Sequence, residues 1–132
     1  MASVLVVDDS AIMRRNLKSL LTKAGHTIVS EAKNGKEAYV EYKINNPDLV
    51  TMDISMPVMD GIAAVKKIIS DFPGAKIIII SALDQRSKVF EALENGAKHY
   101  IIKPITVDKV TKIVDKVLEE AAEEEETNLK VE

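Results

Sequence analysis

The chain has 132 residues, 46% of them hydrophobic and 30% charged, which is enough apolar material for the core of one domain and too much for a disordered chain. It contains no cysteine, which excludes a disulfide framework and a thiolate metal site. The net charge of −3 is uneven: residues 119–132 hold seven Glu and one Lys, a balance of −6, leaving +3 on residues 1–118.

The longest apolar run, Ile77-Ile78-Ile79-Ile80, is far shorter than the ~20 residues of a membrane span. Met1-Ala2-Ser3-Val4 opens no secretory signal, so the expectation is a cytoplasmic protein without membrane attachment. Basic residues are not interleaved with aromatics, of which there are only five, and no nucleic-acid surface is expected.

Val4-Leu5-Val6-Val7 has no polar alternation, the pattern of a strand covered on both faces. Asp8-Asp9-Ser10 interrupts it, with Asp9 or Ser10 placed to cap a helix carrying Met13, Leu17, Leu20, Leu21 and Ala24 and stopping at Gly25. Thr27-Ile28-Val29 reads as a second strand, Asn34-Gly35 as a turn, and Ala38, Tyr39 and Tyr42 as a helix ending before Asn46-Pro47. Asp48 to Asp53 is a third strand ending in a carboxylate. Pro57 and Gly61 bracket a loop, and Ile62, Val65, Ile68 and Ile69 mark a helix ending near Phe72-Pro73-Gly74. Lys76 to Ser81 is the clearest buried strand; Val89, Leu93 and the Asn95-Gly96 stop define the next helix. His99 to Ile102 is a fifth strand closed by Lys103-Pro104, and from Val107 a last helix carries Val110, Ile113, Val114, Val117 and Leu118 into the glutamate tract. Five alternations of apolar strand and amphipathic helix imply a doubly wound α/β domain, (βα)5, with a parallel five-stranded sheet. Residues 1–120 form the domain in this reading and 121–132 an acidic tail, with the Glu119–Glu126 tract a solvated helix extension or a frayed tail.

In such a sheet, ligands bind beyond the carboxyl ends of the strands. Strand one ends in Asp8-Asp9, strand three in Asp53, strand four in Ser81 and strand five in Lys103, while strand two ends near Ser30-Glu31, apart from this set. Three close carboxylates repel one another unless a cation joins them, and hard oxygen donors favour Mg²⁺. With the cation present, a phosphoryl group could approach Asp53, Lys103 could pair with one of its oxygens and Ser81 could donate to another. A carboxylate nucleophile then yields an acyl phosphate.

Asp8-Asp9, the run from Asp53 to Gly61 (DISMPVMDG), Ile80-Ser81-Ala82 and the run from Gly96 to Pro104 (GAKHYIIKP) resemble the receiver domain of two-component response regulators, most closely the stand-alone, CheY-like kind. The resemblance spans residues 3 to about 118 and implies a flavodoxin-like strand order 2-1-3-4-5. It implies Asp53 as phosphoacceptor, Asp9 and (through water) Asp8 as metal acids, and the Ser55 backbone carbonyl as a further metal ligand. It implies Ser81 as the hydroxyl that moves toward the phosphoryl group, Tyr100 as the aromatic that then rotates inward, and Lys103 as the phosphate-pairing amine, with a cis Lys103–Pro104 peptide. A histidine kinase would donate the phosphoryl group, and a protein target would bind the repacked surface of helix four, strand five and helix five, as in chemotaxis or motility signalling. A phosphatase is a further partner, and a monomer is expected. In this family, side chains two positions after the acceptor and two after the switch hydroxyl influence hydrolysis; here these are Ser55 and Leu83, neither an acid nor an amide.

Each residue alone has an ordinary use. Asp8-Asp9 could be only a turn and cap, Ser81 a strand-end hydroxyl, Lys103 a surface amine and Tyr100 a half-buried strand aromatic. Asp60-Gly61 is read as a cap without chemistry, His26 and His99 as solvated, and Met52, Met56 and Met59 as packing residues. The set of strand ends taken together favours the phosphoryl site. A phosphorylation-independent adaptor of the same fold and a phosphorelay intermediate stay open.

Overall fold

The computed structural model describes residues 1–131, with side chains through Leu129. Five strands, β1 (Ser3–Val7), β2 (Thr27–Ala32), β3 (Leu49–Asp53), β4 (Ile77–Ser81) and β5 (His99–Ile102), alternate with α1 (Ala11–Lys23), α2 (Gly35–Asn45), α3 (Gly61–Asp71), α4 (Arg86–Glu94) and α5 (Val107–Val131). The strands form one sheet in the order β2-β1-β3-β4-β5, every neighbouring pair parallel.

Strand alternation divides the core in two, because successive side chains point to opposite faces. Leu5, Val7, Val50, Met52, Ile77 and Ile79 meet α2, α3 and α4 through Tyr42, Ile62, Val65, Ile68 and Val89. On the other face Val4, Val6, Leu49, Ile78 and Ile80 meet Leu17 and Leu21 of α1 and Val110, Val114 and Val117 of α5. The four isoleucines of β4 are thus buried on both faces, at about 1.5–3 kcal/mol each. Thr51 interrupts this apolar pattern. It lies between Val6 and Ile78 in the sheet, and its buried Oγ1 has no hydrogen-bond partner among the described residues. Thr51→Val is therefore expected to raise stability by about 1 kcal/mol, measurable by urea unfolding, because it removes an unsatisfied hydroxyl at nearly constant volume.

Helix starts follow local chemistry. Ser10 caps α1 by accepting from Met13 N–H at 3.2 Å, and Asp60 caps α3 by accepting from Ala63 N–H at 2.9 Å. Asn34 and Gly35 do not form a free turn: Asn34 caps α2, accepting from Glu37 N–H at 2.9 Å, and Gly35 is its first residue. β2 runs three residues beyond Val29, because Asp8 N–H donates to Ala32 O at 3.0 Å and extends the pairing with β1. His26 is buried, not solvated; its Nδ1 accepts from the Ala2 N–H at 3.1 Å at the start of the sheet. His99 is half-buried, with Glu120 at 3.7 Å.

α5 continues through the glutamate tract without a break, and Glu124 lies 4.0 Å from Lys76 at the foot of β4. No helix among the described residues is long and apolar enough to cross a membrane.

Candidate phosphoryl-acceptor site

β1 and β3 are neighbours, so the residues that follow β1 and the last residue of β3 lie side by side at one sheet edge. Carboxylate oxygens of Asp8, Asp9 and Asp53 lie within 4.8 Å of one another, Asp8 and Asp53 buried and Asp9 exposed. Lys103, just beyond β5, reaches back over β4 to place Nζ 3.4 Å from Asp53 Oδ1. At that length the contact is chiefly electrostatic. Lys103 is held there by its backbone, whose N–H donates to Ser81 O at 2.8 Å, and its peptide to Pro104 is cis. Ser81 is fully buried at the end of β4, and its hydroxyl donates to Ala82 O at 2.7 Å.

Burial raises the pKa of Asp53 despite the Lys103 charge and the Ile54 N–H, and the Asp9 charge pushes it the same way. Burial also raises the Asp8 pKa against the Ser10 N–H, which donates to Asp8 Oδ1 at 2.8 Å, with the Asp53 charge adding to the rise. Two ionised carboxylates no more than 4.8 Å apart repel by about 3.5 kcal/mol or more at an effective dielectric of ~20. A raised carboxylate pKa means the folded state prefers the proton. The cost to stability is therefore present when the cluster is ionised and is relieved as pH falls through the raised pKa. Asp8→Asn, which keeps an oxygen for the Ser10 N–H, is expected to raise the Tm of cation-free protein at pH 7 by about 3–8 °C. Melts at descending pH should show that gain shrinking.

The β3–α3 loop carrying Ser55 is pinned at several points. Gly61 N–H donates to Ile54 O at 2.7 Å, and Gly35 N–H donates to Met59 O at 2.8 Å. Met59 N–H donates to Pro57 O at 2.7 Å around Val58, whose φ of 67° is an uncommon and strained conformation for a β-branched residue. Pro57 and Gly61 mark this loop in the sequence, but the close approach of Gly61 to the Asp53 backbone does not show there. Two other residues escape the sequence reading. Arg14, one turn into α1, donates to Asp8 O at 2.6 Å and to Glu31 at 3.1 Å, bracing the end of β1. Gln85 donates through Nε2 to Ser55 Oγ at 2.8 Å, bridging the loops after β3 and β4. A polar residue after a strand carries no signal of such a reach.

Tyr100 is 43% exposed. It lines a hollow of about 250 Å³ together with Leu83, Arg86, Val89, Phe90, Leu93 and Ile102, between α4 and β5. Glu31 stays outside the cluster. The Lys18 and Arg14 contacts hold its carboxyl below the usual range.

A family model for the response regulator receiver domain matches residues 4–115. The chain belongs to this family. The receiver is 50% identical over 114 residues to the chemotaxis protein CheY of Thermotoga maritima, covering 86% of this chain and 95% of that protein. It is 48% identical to the chemotaxis protein CheY of Bacillus subtilis, over 87% of this chain and 96% of that one. Among solved structures, a chain of the CheX–CheY–BeF3–Mg²⁺ complex from Borrelia burgdorferi superposes with a TM-score of 0.83 at 40% identity, covering 88% of each chain. The receiver therefore shares its fold and most of its length with CheY proteins. Its three clustered carboxylates offer hard oxygen donors of the kind divalent cations take in this family.

Proposed function

We propose that this receiver accepts a phosphoryl group on Asp53 and uses it to switch a protein-binding surface. One observation carries the reading: the Asp53 carboxylate lies beside two further carboxylates and 3.4 Å from the Lys103 amine. The donor set suits Mg²⁺, with Asp8, Asp9, Asp53 and the Ser55 backbone carbonyl as the residues that would hold it. When bound, the ion would supply the positive charge that lets an anionic phosphoryl group approach.

An Asp53 oxygen attacks the phosphorus of a phosphohistidine on a histidine kinase. The P–N bond breaks, its electron pair leaves on the imidazole, and an acyl phosphate forms on Asp53. Lys103 pairs with one phosphoryl oxygen. Ser81 turns from Ala82 O to donate to another, and Tyr100 occupies the space this opens. The surface of α4, β5 and α5 then favours a different set of contacts, a shift that takes only a few kcal/mol of differential stability. The chemotaxis proteins similar to this chain favour a motility output, and in this reading the receiver acts in the cytoplasm as a monomer that binds no nucleic acid. Residues 1–120 serve as the receiver and 121–132 as an acidic tail.

The test is intact-mass measurement after incubation with acetyl phosphate and Mg²⁺. One added phosphoryl group is expected on the wild type and none on Asp53→Asn. Absence of an Asp53-dependent adduct would refute the reading, and equal target affinity with and without phosphodonor would favour a phosphorylation-independent adaptor.

Hydrolysis needs water to attack phosphorus in line, breaking the P–O bond to Asp53 and releasing inorganic phosphate. Leu83 is exposed and offers no group to orient that water. Leu83→Glu is expected to shorten the phosphoryl lifetime several-fold, read as the decay of the phosphorylated mass after donor removal. A slow wild-type decay would leave room for a separate phosphatase.

A further inference from the structure

We propose that Gln85 is a positioning residue that clasps the β4–α4 loop to the β3–α3 loop and holds Ser81 in its resting orientation. The inference rests on the reading of Ser81 as the hydroxyl that turns toward a phosphoryl group. Gln85 is the N-cap of α4, yet its side chain makes no capping hydrogen bond. Its amide is committed elsewhere. Oε1 accepts from the Ala82 N–H at 2.8 Å, and Nε2 donates to Ser55 Oγ, 30 residues earlier in the chain, at 2.8 Å. The Ala82 N–H can only donate, so it dictates which end of the amide faces it, and the NH₂ end is left for Ser55.

The carbonyl of the same residue is held as well. Ala82 O accepts from Gln85 N–H at 3.2 Å and from the Ser81 hydroxyl at 2.7 Å. Gln85 therefore grips the Ala82 residue through both its N–H and its C=O, and that C=O is what the Ser81 hydroxyl holds. Ser81 is fully buried, so releasing Ala82 O without a replacement acceptor is unfavourable. Reaching toward Asp53 requires the loop after β4 to shift, and the amide bridge to Ser55 resists that shift. A continuous chain of hydrogen bonds thus joins Ser55, two residues after the acceptor, to Ser81: Ser55–Gln85–Ala82–Ser81. The amide that is missing at positions 55 and 83 is present at position 85, attached to the first of them.

The clasp biases an equilibrium between resting and switched arrangements, so loosening it raises the minor, phosphorylation-competent population. Gln85→Ala is expected to accelerate initial phosphorylation by acetyl phosphate with Mg²⁺ about 3- to 10-fold. Ser55→Ala breaks the same bridge, so the double variant should be no faster than the faster single one. In a Ser81→Ala background the gain from Gln85→Ala should vanish. A gain in rate separates this role from general damage, which would slow the reaction. An independent readout needs no donor: NMR hydrogen exchange of the Ala82 amide in the unphosphorylated protein. It should quicken in Gln85→Ala and stay slow in Gln85→Glu, whose carboxylate can still accept from that N–H. A phosphorylatable wild type with unchanged or slower Gln85→Ala kinetics, additive effects with Ser55→Ala, or unchanged Ala82 exchange would overturn the clasp. A wild type that takes up no phosphoryl group would instead overturn the proposed function, and the exchange measurement would still judge the bridge itself.

Discussion

Replacing Lys103 with alanine is expected to slow phosphoryl uptake by Asp53 about 10²–10³-fold, the usual cost of removing a preorganised charge from a site of developing charge. The Lys103 ammonium lies 3.4 Å from Asp53 Oδ1 and is the cation that offsets the burial of that carboxylate. Its loss acts twice. Asp53 holds its proton to higher pH, which weakens the nucleophile, and the incoming phosphoryl oxygens lose their charged partner. Initial rates with acetyl phosphate across a pH series would separate the two: the first effect is recovered at higher pH and the second is not. Lys103→Arg should recover little, because a planar fork does not reproduce a compact ammonium at the end of a strand. A Lys103→Ala rate within threefold of wild type would show that the amine is a surface charge only.

Gly61→Ala is expected to be among the most destabilising single changes in the domain, by about 3 kcal/mol or more, with a fall in Tm of roughly 10 °C. A Cβ at this position would lie 2.1 Å from Asp53 O and 3.0 Å from Ile54 Cα. Both are backbone atoms that no rotamer change can move aside. The clash falls on Asp53, the proposed acceptor, so phosphorylation of the folded fraction should also drop, beyond what lost stability explains. Gly74→Ala is the matched control: its Cβ would meet nothing within 4 Å, and its effect should stay within about 0.5 kcal/mol. Urea unfolding of the two variants, with phosphorylation assayed on the folded protein, checks both halves. Comparable stability in the two would mean that the loop after β3 yields more readily than its pinned hydrogen bonds imply.

Legibility in the sequence varied with the range of the interaction. Ser10 and Asp60 are visible as caps because the bond each accepts comes from three residues away. The isoleucines of β4 are visible because a strand buried on both faces has no polar alternation. His26 misleads, since a polar ring between Gly25 and Thr27 looks solvated until the Ala2 amide is found against it. The glutamate tract reads as either a helix extension or a frayed tail, and α5 takes the first, holding its helix through the tract and bringing Glu120 near His99. Gln85 was not legible at all. Its partners are local in Ala82 and remote in Ser55, and only the remote one gives the side chain its role.

The order of residues was sufficient by itself to determine which segments are strands and that carboxylates, a hydroxyl and an amine stand at their ends. It could do so because hydrophobic period and capping chemistry are settled within a few residues of chain. The place of β1 between β2 and β3 came from the family resemblance and not from local pattern, and only the tertiary structure decided that Lys103 leans on Asp53 rather than on solvent and that Gly61 has no room for a methyl group. Those outcomes depend on atoms brought together from distant parts of the chain, where packing and the cost of an unpaired buried charge choose the partner and local pattern carries no record of it.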